Sequence, residues 1–106
     1  MQELFNVISK LNTTKEVESF LMDLCTPAEL KSFAERWKVC RLLHEGKLSY
    51  RQIKEITGAS LTTIGRVARF LNDENYGGYR SILKRFEDSG KNGSDGNSGV
   101  SKISEM

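Results

Sequence analysis

The chain has 106 residues, 38% of them hydrophobic, and carries 16 Lys+Arg against 14 Asp+Glu, a formal net charge of +2. That length suits one small domain with a tail, and a total charge so close to neutral identifies no partner; only its distribution can. No apolar run approaches the roughly 18 residues that span a bilayer, and the opening MQELFNVISK lacks a basic-then-apolar signal pattern, so a cytoplasmic protein with no membrane partner is expected.

Apolar spacing is helical from the start. Leu4, Phe5, Ile8 and Leu11 share one face of a first helix. Asn12-Thr13-Thr14 breaks it, and Thr13 or Thr14 can cap a second helix striped by Val17, Phe20, Leu21 and Leu24. Thr26-Pro27 with Glu29 is a start signal: Thr as N-cap, Pro at the first helical position, Glu at the capping-box position. The third helix, the longest, runs through Leu30, Phe33, Ala34, Trp37, Cys40 and Leu43 and ends near His44, with Gly46 as its C-terminal cap. Phe33 and Trp37, four apart, read as a core or dimer stripe, and His44 as a complement to the helix dipole.

Ser49 caps a two-turn helix that turns Ile53 and Ile56 inward; Thr57-Gly58-Ala59 reverses the chain. Ser60 caps the next helix, whose buried stripe is Ile64, Val67, Ala68 and Leu71. Asn72 to Gly78 is a polar break, and Tyr79, Ile82, Leu83 and Phe86 mark a sixth helix in which Tyr79 and Arg80 serve packing. Residues 89–106, rich in Gly, Ser, Asn, Asp and Lys, cannot bury enough surface to offset their ordering entropy and read as a disordered tail. The expected organisation is therefore an all-α, six-helix domain over residues 1–88.

Chemistry-bearing residues are few. Cys25 and Cys40 lie fifteen apart and His44 is the single histidine, too few ligands for a zinc site, which takes about four. No metal is expected, and the cysteines read as reduced and apolar in use. No catalytic triad, phosphate-binding glycine loop or dinucleotide fingerprint is present, so no enzyme and no catalytic residue are expected.

The segment 49–71, SYRQIKEITGASLTTIGRVARFL, has the grammar of a helix-turn-helix. Gly58 sits at the sharp turn and small Ala59 permits close approach. The outer face of the second helix would show Ser60, Leu61, Thr62, Thr63, Arg66 and Arg69, residue types that suit a major groove, with Arg51 and Lys54 of the first helix reaching the phosphate backbone. Four basic residues against Glu55 alone make this segment +3, whereas residues 1–25 are −2. A basic face hidden in a near-neutral chain is the footprint of DNA binding.

With those residues in view, the chain resembles the Trp repressor superfamily, above all its small Trp-repressor-like YerC/YecD type. The resemblance runs from Thr26 to about Phe86 and rests on TPAEL at 26–30, Arg36, LLHEGKLSYRQI at 42–53 and GASLTTIGR at 58–66. It implies an intertwined homodimer whose reading heads lie one helical turn apart on double-stranded DNA. It also implies a candidate ligand pocket: Arg36 and Arg66 match the two arginines that flank tryptophan in the family's namesake, and Thr26 and Thr63 match its threonines. Val67 and Phe70 replace a glycine and a serine there and add apolar volume, so no tryptophan response and no cofactor are expected. Tyr50, Arg51, Lys54, Ser60, Leu61, Thr62, Thr63 and Arg66 form the expected DNA-contacting set, with Tyr50 departing from the namesake's polar amide.

The functional expectation is a sequence-specific transcriptional regulator, a repressor acting on two-fold symmetric operators. Two alternatives stand beside it: a helix-turn-helix module that docks a protein, and a repressor switched by an unidentified small ligand.

Overall fold

The computed structural model describes residues 1–73 and 76–91. Among the described residues, six helices follow in order: α1 (Gln2–Ser9), α2 (Thr14–Leu24), α3 (Pro27–Glu45), α4 (Tyr50–Thr57), α5 (Leu61–Asn72) and α6 (Gly78–Lys91). No strand occurs among the described residues.

Helix starts are fixed by short polar side chains that satisfy the amides a helix leaves unpaired. Thr13 Oγ1 accepts from the Glu16 amide at 3.1 Å, while Asn12 N–H donates to Glu16 Oε1 at 2.9 Å. Thr26 and Glu29 form a reciprocal box at 3.1 and 2.8 Å, and Ser49 and Gln52 form another at 3.2 and 2.9 Å. α1 stops at Ser9, so Leu11 lies just beyond it. α6 reaches Lys91, three residues into the segment read as a tail from Ser89; the rest of 89–106 lies outside the described residues.

The chain divides into two compact units, Met1–Phe33 and the residues from Ala34 onward, with the boundary inside α3. In the first unit no residue of α1 or α2 is buried; Phe5, Met22 and Leu24 are each at least half exposed. The second unit owns the core. Val39 and Cys40 of α3, Ile53 of α4, Ala59 of the turn, Ile64, Val67 and Leu71 of α5 and Leu83 of α6 form one cluster. Trp37 packs at its edge, with ring centroids 6.5 Å from Tyr79 and 6.4 Å from Phe86.

One inward assignment is corrected. Ile53 is fully buried, but Ile56 is 52% exposed. Residues i and i+4 of a helix diverge by 40°, whereas i and i+3 diverge by 60° the other way. The buried face of α4 lies between Ile53 and Thr57, which is half-buried, and that turns Ile56 to solvent.

Candidate nucleic-acid interface

α4, its turn and α5 make a helix-turn-helix held together by local chemistry. Gly58 ends α4 at φ +76°, a left-handed conformation that costs an ordinary L-residue about 1–2 kcal/mol. Thr57 braces the same turn twice: its hydroxyl donates to the Ile53 carbonyl at 2.8 Å and accepts from the Ala59 amide at 3.1 Å. Ala59 is 2% exposed, so the turn itself is part of the core. Ser60 then caps α5, accepting from the Thr63 amide at 3.1 Å, with its hydroxyl also 3.1 Å from Thr63 Oγ1.

α5 has two faces. Ile64, Val67, Ala68 and Leu71 are buried. Leu61, Thr62, Arg66 and Arg69 are exposed. Thr63, placed by sequence among the outward residues, is half-buried, four residues before buried Val67 on the same face, and its hydroxyl and amide both meet the Ser60 cap. On α4, Tyr50, Arg51 and Lys54 are exposed. Arg51, Lys54, Glu55 and Leu61 line one open cleft between the two helices. Sequence reasoning counted Glu55 only as a charge; its i+4 spacing from Arg51 is the signal that would have placed it there.

Of the candidate ligand-pocket residues, Arg66, Val67 and Phe70 line one apolar cavity. Thr26 caps α3 within the first unit. Val67 is 1% exposed and belongs to the core. The Phe70 ring carries the Arg66 guanidinium at 4.4 Å and that of Arg69 at 5.4 Å, and stacks on Tyr76 at 6.2 Å with an 11° interplanar angle. Such cation–π contacts attract a guanidinium to the face of the ring. Beside this stack lies an apolar cavity of about 570 Å³, lined by Trp37, Arg66, Val67, Phe70, Tyr79 and Ile82 among others. Arg36 is not among its lining residues. Trp37, Tyr79 and Ile82 are lining residues that the sequence did not place there, because no local pattern sets α6 against α5.

Other titratable groups are tied to the fold. The Tyr79 hydroxyl is pushed above its ordinary range by burial, with Cys40 adding and Arg36 and Arg66 opposing. Burial pushes the Cys40 thiol up to about 11, so it stays protonated and unreactive at neutral pH. Both cysteines are free, and no cluster able to hold a metal occurs among the described residues. His44 Nε2 meets Glu87 Oε1, giving this histidine a specific partner on α6 beyond its place at the end of α3. Arg80 fastens α6 to the end of α5, donating to the Leu71 carbonyl at 3.0 Å and to Asn72 Oδ1 at 2.8 Å. Among the described residues, no helix is long and apolar enough to cross a membrane.

Comparison with known proteins agrees with this architecture. A family model described as Trp repressor protein matches residues 1–87. The chain is 42% identical over 89 residues to the uncharacterised protein YerC of Bacillus subtilis (strain 168), covering 84% of each chain. It also superposes on the crystal structure of a TrpR-like protein from Eubacterium eligens with a TM-score of 0.76 and 38% identity, covering 81% of this chain and 87% of that one. Helix order, the braced turn of the helix-turn-helix and a family match over most of its length establish that the chain belongs to the Trp repressor family.

Proposed function

We propose that the protein is a sequence-specific DNA-binding transcriptional regulator of the cytoplasm, a repressor that acts as a homodimer on two-fold symmetric operators. The observation that carries this reading is the outer face of the helix-turn-helix. Leu61 and Thr62 stand exposed at the start of α5, with Arg51, Lys54, Arg66 and Arg69 around them and Glu55 the single acid of the segment. Thr and Leu suit thymine methyl groups, Arg suits guanine edges, and the cations suit phosphates.

The first unit supports the dimer. Two helices without a buried residue between them cannot offset their own ordering entropy. A second copy whose helices interlace with these would cover Phe5, Met22 and Leu24. Two recognition helices related by a two-fold axis then meet half-sites about 34 Å apart.

Selection from random duplex DNA, with no added ligand, tests the reading. A two-fold symmetric motif is the expected result; a monomer without sequence preference overturns it and leaves the protein-docking alternative.

The same reading has L-tryptophan as no effector. The Phe70 ring already sits against the Arg66 guanidinium that a ligand ring would meet, and Val67 is committed to the core. Titration calorimetry of the protein with L-tryptophan should show no binding heat; a micromolar Kd overturns this and favours the ligand-switched repressor.

A further inference from the structure

Gly65 has no role in the fold that accounts for it. Gly46, Gly58 and Gly77 occupy positive φ, and Gly78 is the first residue of α6. Gly65 lies in the interior of α5, where glycine is about 1 kcal/mol worse than alanine. A Cβ built on it meets no atom of the described residues within 4 Å. Neither backbone conformation nor internal packing therefore excludes a side chain.

Its position on the helix is informative. Residues three and four apart share a face, so half-buried Gly65 adjoins exposed Leu61, Thr62 and Arg69 on one side and buried Ala68 on the other, with Arg66 beside it. The bare spot is half-buried, at the edge of the exposed, positively charged surface and at the middle of the helix. We propose that Gly65 is the point of closest approach between α5 and double-stranded DNA, the missing side chain letting the helix backbone seat against the duplex. This rests on the DNA-binding reading of the same face.

The dimensions favour it. A helix with its side chains is about 10–12 Å across, and the major groove is about 12 Å wide. A helix entering that groove gains depth where one turn carries no side chain. The surrounding charge selects the partner: Arg51, Lys54, Arg66 and Arg69 match a polyanion rather than an apolar or basic protein surface.

Gly65→Ala separates folding from contact. Its thermal midpoint should rise by roughly 4–8 °C, since alanine is the better helix former. Binding to the selected duplex should weaken about tenfold or more, because an added methyl group in a close contact forces the two surfaces apart. The salt dependence of binding should stay as in the unsubstituted protein, since no phosphate contact is removed. If Gly65→Ala binds that duplex as tightly as the unsubstituted protein, the proposal is overturned while the DNA reading stands. If Gly65→Ala instead weakens the dimer in analytical ultracentrifugation and leaves DNA contacts per dimer intact, the face belongs between copies and the proposal is again overturned. If the unsubstituted protein selects no duplex, the DNA reading fails and the proposal falls with it.

Discussion

Raising monovalent salt from about 50 to about 200 mM is expected to weaken operator binding about 10³- to 10⁴-fold. Arg51, Lys54, Arg66 and Arg69 lie on the helix-turn-helix, and three to four of them on phosphates per copy give about six to eight contacts for a dimer. Each contact releases condensed counterions, so the log–log slope of affinity against salt is roughly −5 to −7. Arg51→Ala or Lys54→Ala should each bring that slope about two closer to zero, one contact being lost from each copy. Fluorescence anisotropy of a labelled duplex across a salt series reads both quantities. A slope shallower than about −2, unmoved by either substitution, contradicts a phosphate-clamped interface and favours docking to a protein.

The second large effect is on stability. Ile64→Ala should destabilise the protein by about 2–5 kcal/mol, the usual cost of truncating a fully buried isoleucine. That is a large share of the ~5–15 kcal/mol that holds a small domain folded. Ile64 lies in the cluster with Ile53 of α4, Val39 of α3 and Leu83 of α6, so the cavity it leaves would loosen the seat of the reading helix. Ile56→Ala, at a 52% exposed position, should change stability by no more than about 0.5 kcal/mol. Urea unfolding of the two variants checks the pair; equal midpoints would mean that the two isoleucines are not distinguished by burial.

That contrast also marks what can be read from residues in order. Caps are local: Thr13, Thr26, Ser49 and Ser60 each act within three residues, and all four begin helices where their side chains predict. The turn at Gly58 is equally local. The buried stripe of α5 was legible because four apolar residues agree on one face. Ile56 misled because two turns of helix with two isoleucines leave the direction of the core undetermined; Thr57, whose polar hydroxyl bonds inside its own helix, decided it.

Site residues divide the same way. Exposure of Arg51, Lys54, Leu61 and Thr62 followed from periodicity. The stack of Arg66 on Phe70 on Tyr76 did not, since Tyr76 comes from beyond the end of α5 and its approach depends on how α6 returns. The cavity beside it and the Arg80 fastening have the same non-local origin.

The two faces of α5 have an evolutionary consequence. Ile64, Val67, Ala68 and Leu71 form the buried face of that helix, while Leu61 and Thr62 are exposed and a Cβ added at Gly65 meets nothing within 4 Å. Mutations in the outward set can therefore accumulate without being purged for misfolding. Duplicated copies of such a gene could diverge toward new regulatory targets one residue at a time, each intermediate still a folded protein, with the scaffold inherited unchanged.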